Sequence, residues 1–137
     1  MKRKWPVVLG AVVLAAALCL WGTGLLGRRP FRGLTADEVA AASVRLLPPD
    51  RELALGPDEI SQLVQLLNRA VIYQRDDSFS DYDGQAVLFT LTMQDGTQCE
   101  INAYNPFLVI DGKGYRCAYE PCEALSQFAN DCLRRHD

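Results

Sequence analysis

The chain has 137 residues, 49% hydrophobic and 23% charged, with 14 Lys/Arg, 17 Asp/Glu and a formal charge of −3. The charge is split: the first 33 residues hold six basic and no acidic side chains, whereas residues 34–137 hold eight basic and 17 acidic ones, a net of −9. About 100 residues make one small domain, and that acidity argues against nucleic acid, whose phosphates need cations, and against broad adhesion to anionic lipid heads.

The N-terminus carries the strongest signal. Between Pro6 and Leu26 lie 21 residues with no ionisable side chain except the thiol of Cys19. As a helix they span about 30 Å, the thickness of bilayer hydrocarbon. Trp5 and Trp21 suit the interfacial belts. A removable signal peptide is a competing reading, with Lys2-Arg3-Lys4 as its basic start and Ala15-Ala16-Ala17 as a cleavage pattern. The apolar run continues past that site, beyond the usual length of about 7–15 residues. A lipoprotein signal ending at Cys19 would need a small residue where Leu18 stands. An uncleaved single-pass anchor is therefore expected. Basic residues flank both sides equally, and short basic N-termini stay in the cytoplasm. The expected layout is a cytoplasmic tail over 1–4, a transmembrane helix over 5–27, a linker over 28–33, and an extracytoplasmic domain over 34–137.

Beyond the linker, Thr35-Ala-Asp-Glu38 has capping-box spacing and predicts one helical turn. Ser43–Leu47 reads as a strand closed by Pro48-Pro49-Asp50, and Arg51–Leu55 as a short second strand. Pro57, Asp58 and Glu59 open a helix whose apolar face is Ile60, Leu63, Val64, Leu67 and Val71. Residues 76–84 read as a solvated acidic loop. Aligning them on a calcium-loop template puts Phe79 where the first aspartate belongs.

A β-meander follows. Ala86–Met93 alternates, and Asp95-Gly96 signals a hairpin. A two-residue loop would mix apolar and polar side chains on one face. A three-residue loop, Gln94-Asp95-Gly96 with Gly96 left-handed, pairs Leu91 with Cys99 and Phe89 with Ile101, which keeps the faces consistent. Asn105-Pro106 breaks the chain, and Phe107–Asp111 with Gly114–Cys117 make a second hairpin around Gly112-Lys113. The last helix is expected from near Pro121, with Leu125, Phe128, Ala129 and Cys132 on one face and Arg134 and Arg135 at its C-terminal dipole. The fold class is α+β: a mainly antiparallel meander packed on one face by two helices.

Three segments carry a resemblance: Leu88-Phe-Thr-Leu-Thr-Met-Gln-Asp-Gly-Thr97, Asn105-Pro-Phe-Leu-Val-Ile-Asp-Gly112 and Tyr119-Glu-Pro-Cys-Glu-Ala-Leu125. Over roughly residues 40–133 the chain resembles uncharacterised, membrane-anchored α+β extracytoplasmic domains of Gram-positive bacteria. The resemblance implies fold and placement. Such domains carry no assigned catalytic residues to transfer.

Chemistry has few places to reside. His136 is the single histidine and sits next to the C-terminus, where chains fray. That leaves Ser-His and Cys-His catalysis without a base. Asp111-Gly-Lys-Gly114 lacks the spacing and following helix of a phosphate loop. Four cysteines lie in the domain: Cys99, Cys117, Cys122 and Cys132. An even count outside the cytoplasm allows two disulfides in three connectivities. Cys122 and Cys132 cannot pair along one straight helix, because ten residues rise about 15 Å. A metal reading takes Cys117, Cys122, Cys132 and His136 as a Cys3His set, though its spacing is unlike common zinc modules. Free core thiols are the plain alternative. Tyr73, Tyr82, Tyr104, Tyr115 and Tyr119 suit a binding surface or ordinary sheet positions. The reading expected is a membrane-tethered binding or interaction module with a protein or peptide partner, no nucleic acid, no cofactor and no enzymatic activity. A metal- or thiol-dependent module and a secreted domain are the alternatives.

Overall fold

The structure, a computed structural model, describes residues 5–23 and 26–136, with side chains over 7–18 and 26–136. The tail expected over 1–4 lies outside the described residues, as do the side chains of Trp5, Cys19 and Trp21. Helix α1 (Trp5–Thr23) forms where the apolar run begins. Its Val7, Val8, Leu9, Val12, Val13, Leu14 and Leu18 are 55–75% exposed. The expected span over 5–27 is not met among the described residues: α1 ends at Thr23, and no helix there is long and apolar enough to cross a membrane. The described side chains of α1 cover only about 18 Å of axis at the helical rise.

The α+β expectation holds. A 3-10 turn at Ala36–Glu38 leads into β1 (Val39–Leu47) and β2 (Arg51–Ala54). Then come α2 (Pro57–Arg69), β3 (Ile72–Arg75) and a second 3-10 turn at Ser78–Asp81. Strands β4 (Ala86–Met93), β5 (Gln98–Tyr104), β6 (Phe107–Ile110) and β7 (Lys113–Cys117) precede α3 (Tyr119–His136). All seven strands form one antiparallel sheet in the order β2-β1-β4-β5-β6-β7-β3.

The β4–β5 register is the one the alternation requires: Leu91 opposes Cys99 and Phe89 opposes Ile101. Gly96 takes φ 89° and its N–H donates to the Met93 carbonyl at 2.9 Å, closing the three-residue loop. The next hairpin turns one residue earlier than expected. Asp111 and Gly112 have φ of 50° and 83°, the two left-handed positions of a type I′ turn, and Ile110 pairs directly with Lys113. Helix α2 stops at Arg69 and Ala70 is extended, so Val71 leaves the helix it was expected to join. The β-branched run that follows becomes β3, an edge strand that the helical reading concealed.

One face of the sheet carries the main core. Val44, Leu46, Phe89, Leu91, Ile101 and Leu108 meet Leu63 and Leu67 of α2 and Leu125, Phe128 and Ala129 of α3. The opposite face is covered locally. Phe107 and Val109 are buried but stand outside that core. Over Phe107 lie the rings of Phe79 and Tyr82, at 6.4 and 5.4 Å, and the Arg116 guanidinium at 4.7 Å.

Residues 76–84 are a strap pinned over Phe107, and Asp77 with residues 80–84 stays exposed as a solvated loop would be. Asp76 accepts from Arg116 at 2.8 Å, from the Ser78 hydroxyl at 2.6 Å and from the Ser78 N–H at 3.0 Å. Asp77 accepts from the Gly114 N–H at 2.8 Å and from Arg75 at 2.8 Å. Asp76 and Asp77 fasten the start of the strap to β7 and β3.

The segment read as a linker is fastened as well. Arg28 exchanges two 2.8 Å backbone hydrogen bonds with Ile72 of β3. The Asn68 carboxamide accepts from the Gly33 N–H at 2.8 Å and donates to the Leu34 carbonyl at 2.9 Å. Phe31 and Leu34 pack against the core.

Candidate functional site

At one end of the sheet, the start of β4, the end of β5 and the outer side of α3 enclose a cleft of about 320 Å³. The strap supplies its rim. Gln85, Asn105, Gln127 and Asn130 present carboxamides, Asp83 and Glu123 present carboxylates, and Tyr82 and Tyr104 present rings. Among the described residues no lysine or arginine lines it.

The walls are held by internal hydrogen bonds. Gln85 and Asn130 exchange carboxamide bonds at 3.1 and 2.9 Å, joining β4's approach to α3. The Tyr104 hydroxyl donates to the Tyr82 carbonyl at 2.7 Å and so closes strap onto sheet. Asn105, in the turn whose Asn105–Pro106 bond is cis, donates to the Tyr119 carbonyl at 3.1 Å and to Glu123 at 3.3 Å. These bonds engage the carboxamides of Gln85, Asn105 and Asn130 within the walls and leave the cleft lined by two carboxylates, Asp83 and Glu123. Its net negative lining repels anions.

The sequence-derived thiol and histidine candidates fall into separate places. Cys117 and Cys122 come together at the junction of β7 and α3, where each thiol is the other's strongest ionisable neighbour. The Cys117 Sγ also lies 3.8 Å from Asn105 Oδ1, so Asn105 links the thiols to the cleft. Cys132 and His136 lie farther along α3 and meet Glu59 of α2 instead. His136 Nε2 is 3.1 and 3.2 Å from the two Glu59 oxygens. Arg135 reaches Glu59 at 3.3 Å and the Cys132 sulfur at 3.1 Å. Glu59 also accepts from the Gly56 N–H at 3.0 Å, so one carboxylate caps α2 and docks the end of α3. The expected fraying at His136 is replaced by this docking.

Cys122 and Cys132 both sit on α3, about 15 Å apart along its axis at the helical rise. The Cys3His set is therefore not brought to one point. Among the described residues no group of three or more His, Cys, Asp or Glu side chains is placed to hold a metal. Cys99 stands alone on β5, and all four domain cysteines are free thiols. Of the five tyrosines, Tyr82 and Tyr104 line the cleft, while Tyr115 lies under the guanidinium groups of Arg28 and Arg75 at 5.6 and 5.4 Å.

No family model, curated protein or solved structure matches this chain. The site therefore has to be read from its own residues.

The four thiols differ in character. Burial, with help from Asp111 and Glu100, pushes the Cys99 thiol up to about 11. Burial and the neighbouring Glu59 push Cys132 up to about 11 as well. Cys117 moves the other way, because the neighbouring Cys122 thiol and then the Arg116 guanidinium favour its thiolate, which outweighs its burial. Cys122 is pushed up correspondingly.

The strap beside the cleft has a pH signature. Hydrogen bonds from the Ser78 hydroxyl and N–H, and then from Arg116, hold the Asp76 carboxyl down to about 2 from an ordinary 3.8. A depressed folded-state value means that the ionised carboxylate stabilises the fold. That contribution is full above about pH 4 and is lost as pH falls from about 4 towards 2. Asp76→Asn is therefore expected to melt below the wild type at pH 6, with the gap closing over this window. Thermal melts at a series of pH values check this. A gap of constant size down to pH 2 would show that the charge on Asp76 does not hold the strap.

Proposed function

We propose that the protein is a single-pass membrane-anchored binding module, not an enzyme, which holds its acidic domain outside the membrane for a protein or peptide partner. The observation that carries the binding reading is the cleft of carboxamides and carboxylates without a lysine or arginine in its lining. Its carboxamides are bonded to one another and to the backbone and so hold the walls in place, and Asp83 and Glu123 match a basic side chain of the partner.

The anchor rests on the uncharged run from Pro6 to Leu26 and its basic flanks. It is supported by the exposed apolar side chains of α1 from Val7 to Leu18, which contact nothing that would shield them from water. A lipid bilayer is the occupant whose thickness fits a run of that length.

Two measurements test the reading. Full-length protein should stay with membranes through alkaline extraction, and release into the supernatant would remove the anchor. In nanodiscs, a lysine-containing peptide should bind in preference to its glutamate counterpart by fluorescence anisotropy. The double variant Asp83→Lys, Glu123→Lys should weaken that binding at least about 10-fold, roughly 1.4 kcal/mol. Equal affinity for both peptides, or no loss in the variant, would remove the cleft as the binding site.

A further inference from the structure

Cys117 is the last residue of β7 and Cys122 lies in the first turn of α3, so a tight corner carries both. Both sulfurs turn towards the same short segment. Cys117 Sγ lies 3.8 Å from Asn105 Oδ1, and Cys122 Sγ lies 3.6 Å from the Phe107 carbonyl. The two thiols are close neighbours, each the strongest influence on the other's ionisation. Access to them is unequal: Cys117 is partly exposed, whereas Cys122 is 2% exposed. One sulfur can be reached from outside, and a second waits directly behind it. The guanidinium of Arg116 favours a thiolate at Cys117. Among the described residues, neither Cys99 nor Cys132 has a second thiol beside it.

We propose that Cys117 and Cys122 form a redox-active dithiol, oxidised stoichiometrically by exchange with the disulfide of a second molecule. The Cys117 thiolate attacks one sulfur of that disulfide. The S–S bond of the partner breaks, a mixed disulfide forms on Cys117, and the first partner thiolate leaves. That thiolate takes up a proton. Cys122 then gives up its own proton and attacks the Cys117 sulfur, expelling the second partner thiolate, which is protonated in turn. The net change is one new S–S bond between Cys117 and Cys122 and two partner thiols. Two electrons pass from the domain to the partner. This site goes beyond peptide binding, although Asn105 places it beside the cleft.

The test uses the reduced full-length chain in nanodiscs, with each cysteine followed by peptide mapping. Under limiting iodoacetamide, Cys117 should alkylate at least about 10-fold faster than Cys99. Oxidised glutathione should convert the wild type to the Cys117–Cys122 disulfide. Cys122→Ser should stop at one glutathione on Cys117, and Cys117→Ser should acquire none on Cys122. If the serine variant does not fold, Cys122→Ala serves in its place, and the wild-type alkylation and disulfide map need no variant. A parallel arm offers a disulfide-linked peptide. Faster exchange in that arm assigns the partner to the peptide class, and faster exchange with glutathione assigns it to small thiols. Alkylation of Cys117 no faster than Cys99, or an adduct that forms on Cys99 in preference to Cys117, would overturn the proposal.

Discussion

Phe89→Ala is expected to destabilise the domain by about 3–5 kcal/mol, the usual range for a fully buried phenylalanine. Phe89 is completely buried at the middle of β4. It is paired in register with Val44 on β1 and Ile101 on β5, and its ring centroid is 6.2 Å from that of Phe128 on α3. Truncation would open a void touching three strands' worth of core and a helix at once. Small domains hold about 5–15 kcal/mol in total, so a large share of the folding free energy is at stake. Urea denaturation would show the midpoint fall sharply. Phe89→Leu, which conserves more volume, should cost less than half as much. A loss under about 1 kcal/mol for the alanine variant would mean that the sheet and α3 do not share this core.

Gly114→Ala should act on the other face, and locally. A Cβ at Gly114 would lie 2.3 Å from the Asp76 carbonyl oxygen and 2.7 Å from a Phe79 ring carbon. The backbone contact cannot be relieved by a rotamer change, so the strap must lift from β7. Overpacking of this kind costs about 1–3 kcal/mol. Because the strap covers Phe107 while the helices cover the opposite face, hydrogen exchange should accelerate across residues 76–84. The β4–β5 ladder should keep its protection. The same variant should weaken peptide binding, since Tyr82 and Asp83 form part of the cleft rim. Unchanged exchange in the strap would show that it does not depend on close approach to Gly114.

Local rules made most of the sheet readable. Alternation and one left-handed glycine were enough for the β4–β5 register, because a slip by one residue would have put Glu100 against Leu91. Helix α2 was legible from its opening Pro57-Asp-Glu and its apolar stripe. The same stripe misled at Val71, which keeps helical spacing yet belongs with the extended run before β3. The alanines at 40–42 hid the first half of β1, since alanine carries no strand signal of its own.

The strap was hinted at by Phe107-Leu-Val-Ile110, four apolar residues in succession. Such a run marks a strand buried on both faces and therefore demands a second cover. The cover itself looked like a solvated loop because its carboxylates are acidic by composition and become structural only through Arg75, Arg116 and Gly114, residues distant in sequence. The cleft was illegible for the same reason. Its carboxamides come from β4's approach, the β5–β6 turn and α3, and nothing in their spacing draws them together. The cysteines were visible as a set, but only the fold separates Cys117 with Cys122 from Cys132 with His136.

The attachment of Arg28 to Ile72 fixes the length of the leash. Only five chain steps separate Thr23, where α1 ends, from Arg28, where the domain takes hold, and fully extended they reach no more than about 18 Å. With α1 in a bilayer, the domain cannot sweep a volume far from the surface. On the proposed membrane placement, its encounters would be confined to a shallow layer, and a partner would have to be resident in that layer or delivered to it.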